Sequence, residues 1–441
     1  MKTINAVQSQ FAQIKTFQGP ARLFLIATIF DGIVYSGWGL FFNFYILERG
    51  FDRGFLGMVN AMPSIAALLL GIPMGLLSDR LGRKRAMIAG LTISILCMAL
   101  EVTVSNPVLI LVTAFIAGAA GSLYFLSQAP FMMKVSNENN RTLLFSLNFG
   151  LVTLAGSVGS IFAGQLPGFF GSWLHVSAGS ATAYQAVLLA SAALSIFTLV
   201  PLALIRLPAE VPEQAHEVRQ EATLKQVIFR PLTLKLALPN LLIGSGAAIL
   251  IPYMNLFFSD RYQMRDQTLG VLFSLSALLT GVGSIIGPRL AGNLGSKIRA
   301  VVFTQAASLM FLLVLGFSPF LGLAVLGYLM RGVLMNMAVP LYSAFVMEQT
   351  HEREQATVNS VKELAWQVGW SVGPYVSGVV QQAYGFTPLF VATAMLYTTA
   401  TLVTWLFFGQ HERKLIKANQ DVLSTLPMQA VSVEPGEALD A

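Results

Sequence analysis

Apolar stretches recur along this chain with little between them, and each is about 20 residues or more, the length that carries a helix across a bilayer core. Twelve can be marked, at 22–46, 56–77, 85–104, 107–133, 143–166, 183–205, 232–258, 267–291, 299–318, 319–347, 357–381 and 385–408. Within them hydrophobicity is continuous, not alternating, which excludes the in–out pattern of a membrane barrel. Lipid offers no partner for backbone N–H and C=O groups, so a continuous apolar span must satisfy them internally, as a helix does. The pattern predicts an all-α membrane protein with twelve transmembrane helices.

Polar segments divide that series. The longest interior one, 206–231, contains PAEVPEQAHEVRQEATLKQ and reads as a linker on the cytoplasmic side. It separates an expected six-helix bundle at 22–205 from a second at 232–408, flanked by a cytoplasmic N-terminal segment, 1–21, and a polar tail, 409–441, expected to lack fixed structure. The first 21 residues hold no short apolar core followed by a small-residue cleavage site, so no removable leader is expected. The second bundle repeats the first. Asn43, Glu48 and Arg49 recur as Asn255, Asp260 and Arg261 at an offset of 212. Gly57, Leu77 and Gly82 recur as Gly270, Leu290 and Gly295 at 213, and Gly159 and Gly164 as Gly373 and Gly378 at 214. Two pseudo-symmetric bundles follow, the plan by which many transporters enclose a midplane site.

Composition agrees with lipid as the main solvent: 55% of the 441 residues are apolar and 11% charged, against about 25% charged in a soluble domain. The net charge of +6 raises the question of nucleic acid, and the placement of the charges answers it. With the N-terminus inside, the cytoplasmic segments and adjoining helix ends hold 21 of the 27 Lys and Arg, and the outer loops hold four, Arg49, Arg53, Arg261 and Arg265. That is the positive-inside asymmetry of a multi-pass membrane protein with both termini cytoplasmic. Membrane lipid, not nucleic acid, is the expected partner. Cys97, the single cysteine, has no internal disulfide partner and reads as packing.

Residues 75–85 read GLLSDRLGRKR. This loop, between the second and third runs, resembles the Gly-x-Leu-Ala-Asp-Arg-x-Gly-Arg-Lys-Arg signature of the major facilitator superfamily, with Ser78 in place of the usual Ala. The resemblance, which with the repeat covers about residues 20–410, implies the major facilitator fold. It also implies that Gly75, Asp79, Arg80, Gly82, Arg83 and Lys84 form a latch that holds the cytoplasmic side shut in the outward-open state. Gly75 is expected at a close helix approach, Gly82 at a tight turn, and Asp79 facing helix-start amides of the opposite bundle. In the second half Gly292 stands where Asp79 would repeat, so the latch is expected to be asymmetric. A basic turn that only sets topology is the alternative.

Ionisable groups near mid-bilayer cost about 2.5–3.5 kcal/mol each on insertion scales and so mark cavities or partners. Asp31, Arg331, Lys362 and Glu363 are such groups. Asp31 shares a helical face with Tyr35, Trp38, Phe42 and Tyr45. It is the candidate proton or substrate-cation site, with a structural ion pair as the bland alternative. Its repeat position is the apolar Ile243, so fold symmetry does not require an acid there. Arg331 shares its face with Tyr342 and is a candidate anchor for an anionic cargo or a counter-ion for Asp31 or Glu363. Its first-half equivalent is near Gly118, whereas relatives that resemble this chain often carry a deep Arg in the fourth helix. Lys362 and Glu363 fall five or six residues into the eleventh run, which favours snorkelling to the interface; Glu363, Gln367 and Trp370 share a face and offer a second titrating site or gate instead. Tyr35, Trp38, Gln128, Tyr342, Gln367 and Trp370 are the expected cavity wall, although aromatics in spanning helices are more often packing or anchors.

The resemblance extends weakly to the drug:proton antiporter branch. Helix five reads GSVGSIFAGQLPG, with Gly159 and Gly164 in place but Ser160 for the branch's Pro and Ala163 for a Gly, while Gly373-Pro374 sits in the eleventh run. No phosphate-cradling GxxxxGK[ST] loop is present to use ATP. One proton crossing about 150 mV releases about 3.5 kcal/mol, enough for a gradient of roughly 300-fold. His175, His216, His351 and His411 are scattered and form no catalytic or metal set, so neither an enzyme nor a cofactor is expected. The expected function is proton-coupled export of small, partly hydrophobic compounds from an inner or cell membrane, by a monomer. Uptake or facilitated passage of a polar or anionic metabolite is the alternative, and a non-transporting membrane sensor a second one.

Overall fold

The computed structural model describes residues 17–137, 140–206 and 221–425. Among these, twelve long helices follow the order of the apolar runs. In the first half they are α1 Gly19–Glu48, α2 Arg53–Leu81, α3 Arg83–Thr103, α4 Pro107–Lys134, α5 Arg141–Leu174 and α6 Ala181–Leu204. In the second, α7 runs Pro231–Tyr262, then α8 Asp266–Leu294, α9 Lys297–Phe317, α10 Leu321–Glu348, α11 Glu352–Tyr384 and α12 Thr387–Thr425. Eleven of the twelve are long and apolar enough to cross a membrane; α11, rich in polar residues, is the other. A short helix, Glu221–Ile228, closes the linker, whose residues 207–220 lie outside the described residues, as do 1–16 and 426–441.

Several helix ends differ from the hydrophobic pattern, and one helix is interrupted. Helix α11 starts at Glu352, five residues early, because its first turns are polar and hydropathy cannot register them. Helix α12 continues to Thr425, past the boundary expected at 408, through QHERKLIKANQDVLST, which contains neither Pro nor Gly to stop it. Helix α7 is interrupted by a 3-10 turn at Ile251–Tyr253, where Pro252 lacks the N–H an α-helix needs.

The repeat is visible in the packing. Helix α1 packs on α5 and α6 as α7 packs on α11 and α12, and α3 packs on α4 as α9 packs on α10. Between the halves α2 meets α11 and α5 meets α8. Those two crossings use the repeated glycines. A Cβ on Gly57 would lie 2.5 Å from the Pro374 carbonyl oxygen, and one on Gly270 would strike the Ser160 carbonyl oxygen, its symmetry equivalent. Gly378 rests against the Arg53 carbonyl, and Gly164 sits 2.9 Å from the Asp266 carbonyl oxygen by the same measure. Small residues let backbones approach where lipid supplies no hydrophobic drive between helices. Gly82 (φ +81°) and Gly295 (φ +62°) turn α2 into α3 and α8 into α9, in a backbone region that side chains disfavour.

Successive helices are antiparallel, so the bundle has a linker face, carrying residues 82, 205–206, 229–230 and 295, and a distal face, carrying 49–52, 104–106, 263–265 and 318–320. Arg49 donates to the Val104 carbonyl (2.7 Å) and Ser105 hydroxyl (2.9 Å), and Arg261, its repeat, to the carbonyls of Gly316 (2.9 Å) and Ser318 (3.1 Å). Arg49 and its repeat Arg261 thus each tie to backbone carbonyls at the end of a neighbouring helix.

The halves are joined at one end. A buried apolar cluster containing Phe41, Tyr45 and Tyr184 from the first half and Tyr253, Phe257 and Phe390 from the second spans both near the distal face. Toward the linker face the core splits into one cluster around Phe24, Met87 and Phe131 and another around Leu236, Val301 and Phe345. Hydrogen bonds and ion pairs join the halves from mid-depth to the distal face: Asn43 with Pro252 and Asn255, Asn255 with Leu40, Arg53 with Asp260 and Gln381, Ser157 with Ser274, and Tyr184 with Asp266. The distal face is closed and the linker face is open.

Candidate functional site

A cavity of about 480 Å³ opens in the second half, walled by α7, α8, α10 and α11 with Gln305 of α9 and Tyr397 of α12. Of the residues expected at a site, it takes Arg331, Tyr342, Glu363 and Trp370. Gln367 is half-buried on α11 and does not line it.

Arg331 is 6% exposed at the middle of α10. Its Nη2 donates to the Tyr397 hydroxyl at 2.6 Å, and the guanidinium stands 5.6 Å from the centroid of that ring. Its Nε has no partner, and it forms no ion pair among the described residues, with Asp31, Glu363 or any other acid. The counter-ion reading of Arg331 is therefore not realised in this state. Its position at Gly118 in the first half cannot hold a side chain, because Gly118 presses on the backbone of Pro63 in α2. In the second half the corresponding contact is opened: Ser276 of α8, at the repeat position of Pro63, lines the cavity beside Gly332. This difference in helix spacing explains why the deep Arg sits in one half only.

Lys362 is not an interfacial anchor. The early start of α11 puts it ten residues into the helix, about 15 Å along it. It is 5% exposed, and its Nζ donates to Ser343 at 3.1 Å and lies 3.2 Å from Glu363, whose side chain is 59% exposed. Trp366 and Trp370 lie one turn apart with rings 6.2 Å apart and nearly parallel, and give the cavity an aromatic wall. The Trp370 indole N–H has no hydrogen-bond partner among the described residues. Tyr342 donates to the Leu236 carbonyl at 2.7 Å, fixing α10 to α7.

The first-half group is separate. Asp31 lies twelve residues into α1, about 18 Å along it. It is half-buried and makes no hydrogen bond or ion pair among the described residues; the hydroxyls of Tyr35 and Tyr124 lie within its electrostatic reach. Tyr124 of α4 is hydrogen-bonded to Gln128, one turn away on the same helix. Tyr35 is 76% exposed, while Trp38 is half-buried and stacked on Phe42 at 5.0 Å. Ile243, the repeat position of Asp31, lines the second-half cavity. Asp31 is thus the sequence-repeat counterpart of a cavity-lining position, on a helix that packs on α5 and α6.

The loop residues bond within their own half. Asp79 pairs with Arg83, Arg83 donates to Ser78 at 2.9 Å, and Lys84 holds the end of α6 through the carbonyls of Ala203 (2.9 Å) and Ile205 (2.6 Å). Arg80 is exposed. Gly75 has nothing near enough for a Cβ to touch, so the close approach expected there is absent in this state. Gln305, Tyr328, Tyr397 and the amide of Asn240, all in the cavity wall, carry no formal charge to mark them in the sequence. Glu101, near the end of α3 and buried, and Asp266, at the start of α8, whose carboxylate accepts from Tyr184 at 3.3 Å, fall at the ends of apolar runs, where a charge is ordinary. Among the described residues no group of three or more His, Cys, Asp or Glu is placed to hold a metal.

Two related six-helix bundles closed at one face, with a cavity in the second that carries Arg331 and Lys362 among apolar and aromatic walls, have the architecture of a multi-pass membrane transporter. The family model for the Major Facilitator Superfamily matches residues 24–374 and 236–430, and the chain belongs to that family. It is 22% identical over 188 residues to the multidrug resistance protein MdtG of Proteus mirabilis, a match covering 42% of this chain and 46% of that protein. It is 21% identical over 366 residues to the uncharacterized transporter YxaM of Bacillus subtilis, covering 80% and 86%. The mouse synaptic vesicular amine transporter is 22% identical over 344 residues, covering 75% and 62%. Among solved structures, the nucleoside transporter NupG superposes with a TM-score of 0.73 at 16% identity, over 88% of this chain and 100% of that one. A bacterial homolog of the human lysosomal transporter Spinster, in an inward-facing conformation, gives 0.67 at 13%, over 92% and 97%. At these identities the likeness is one of fold.

Proposed function

We propose that this chain is a secondary active transporter that exports small, partly hydrophobic compounds by alternating access, driven by proton entry through Asp31. The linker face, which carries the excess of Lys and Arg, is cytoplasmic in this reading, so the open state is inward-facing and cargo enters from the cell interior. The observation that carries the proposal is the pairing of an apolar, aromatic-walled cavity in one half with a half-buried carboxyl lacking any bonded partner at the sequence-repeat counterpart of a cavity-lining position in the other. A carboxyl without a fixed counter-ion is free to exchange a proton as the halves rock. The names of the matched relatives, a multidrug resistance protein and an amine transporter among them, point the same way. The latch loop would engage the opposite half only after the linker face closes, which accounts for its present bonds within the first half.

A second reading, passage of an anionic metabolite, is favoured by one observation: two buried cations, Arg331 and Lys362, line the cavity. Both readings are tested by comparing accumulation of a compound panel in cells with and without the gene, before and after the proton gradient is collapsed. Export predicts lower accumulation in expressing cells, reversed by collapse; higher accumulation in expressing cells contradicts export and supports uptake; no difference for any compound supports a sensor.

A further inference from the structure

The second-half cavity has more hydrogen-bond donors than its own walls can satisfy. Arg331 and Lys362 are both buried, yet neither is neutralised by a buried carboxylate. Arg331 is held by a phenol, Tyr397, and Lys362 by a hydroxyl, Ser343; the acid beside Lys362, Glu363, is largely exposed, so its field is screened by water. Two further donors in the same walls, Arg331 Nε and Trp370 Nε1, have no hydrogen-bond partner among the described residues. A buried unsatisfied donor carries its full desolvation cost, and a buried uncompensated cation carries more. A ligand that brings acceptors and negative charge relieves both. The rest of the wall is set for an apolar body: the paired rings of Trp366 and Trp370 line the same space, together with Met335 and Ile243. At about 480 Å³ the space suits a small organic molecule, since such pockets span about 300–1,000 Å³.

From this arrangement we infer that the cavity binds amphipathic organic anions, carboxylate toward Arg331 and Lys362 and aromatic or apolar body along Trp366 and Trp370. The inference rests on the transporter reading and narrows its cargo from partly hydrophobic compounds to those with an anionic head. Arg331 supplies a planar fork suited to two carboxylate oxygens, and Lys362 a second point charge. Tyr397 is a positioning residue, since its hydroxyl accepts from the guanidinium and its ring lies beside it.

The test uses the full-length protein in lipid nanodiscs at neutral pH and titration calorimetry with three probes that share one body: phenylpropionate, phenylpropanol and phenylpropylamine. At that pH the first is an anion, the second neutral and the third a cation. Phenylpropionate should bind roughly ten- to a hundredfold more tightly than the alcohol or the amine, the range expected for hydrogen bonds to a charged group. Lys362→Met and Arg331→Gln should each reduce the carboxylate's affinity toward that of the alcohol and leave the alcohol unchanged, whereas Trp366→Leu should weaken all three alike. If Arg331→Gln does not fold, Lys362→Met carries the test alone, with its melting temperature as the control. Equal binding of the three heads, tighter binding of the amine, or no binding of any probe up to about 10 mM, a Kd near the weak limit of specific recognition, would overturn the inference. Carboxylate-selective binding without flux would sink the transport reading and leave this one standing; flux with head-group-indifferent binding would do the reverse.

Discussion

Asn43 donates through Nδ2 to the Oδ1 of Asn255 at 3.0 Å, so the two copies of one repeated position touch each other across the boundary between the halves. Each also reaches the other's helix: Asn43 donates to the Pro252 carbonyl at 2.6 Å and Asn255 to the Leu40 carbonyl at 2.8 Å. Leu40 and Pro252 are themselves repeat equivalents at the same offset of 212. The contact is a pseudo-twofold one, buried, and placed where the distal face closes. The 3-10 turn at Ile251–Tyr253 is what brings the Pro252 carbonyl to Asn43.

Cutting this contact should weaken distal closure. Asn255→Ala removes the bonds to Asn43 and Leu40 and leaves the Asn43 amide with the Pro252 carbonyl and Asn60, a loss to the distal-closed state of about 0.5–1.5 kcal/mol for each of the two bonds. Spin labels on Phe51→Cys and Gln263→Cys, read by pulsed dipolar spectroscopy, should show a larger fraction of long distances in the Asn255→Ala background. An unchanged distribution would mean the apolar cluster alone holds that face.

Glycine positions divide into those that set helix approach and those that do not. Gly378→Ala places a methyl against the Arg53 carbonyl and must push α11 from α2, so purified protein should lose transport and gain distal opening. Gly75→Ala adds a methyl in open space and should preserve the melting temperature. If Gly75→Ala nevertheless abolishes flux, the residue is needed in a state where the linker face closes.

The latch loop offers a contrast between stability and turnover. The Asp79–Arg83 pair lies within one half at the surface, Asp79 exposed and Arg83 half-buried, and surface pairs contribute about 0–1 kcal/mol. Asp79→Asn should leave thermal unfolding nearly unaltered while lowering the population that opens distally, seen as slower flux in proteoliposomes. Equal flux would remove Asp79 from the switching mechanism.

Tyr397→Phe deletes the acceptor for Arg331 Nη2 and keeps the ring under the guanidinium. A freed, buried charged donor costs about 1–3 kcal/mol. Phenylpropionate affinity should fall several-fold while that of phenylpropanol holds. A lowered melting temperature with unaltered head-group preference would assign Tyr397 to stability alone.

Much of this architecture is legible in the sequence because symmetry writes it twice. The repeated Asn43 and Asn255, Gly57 and Gly270, and Gly164 and Gly378 are the residues through which the halves meet. Arg331 is legible for a different reason: a charge inside an apolar run has few structural explanations. The other side of the cavity is not legible by either route. Tyr397 and Gln305 carry no formal charge and occupy helices whose rotation the weak apolar periodicity does not fix. Lys362 is misplaced because the polar turns 352–356 hide where α11 begins. That Tyr124 of α4 comes within electrostatic reach of Asp31 on α1 depends on packing that sequence spacing cannot express.

The role of Asp31 is tested most directly in proteoliposomes under an imposed pH gradient, with lumenal pH recorded as a transported cargo is added. The wild-type protein should show a cargo-dependent proton flux, and Asp31→Asn should lose it, by roughly tenfold or more, while still binding the cargo. Undiminished proton flux in Asp31→Asn would contradict the account.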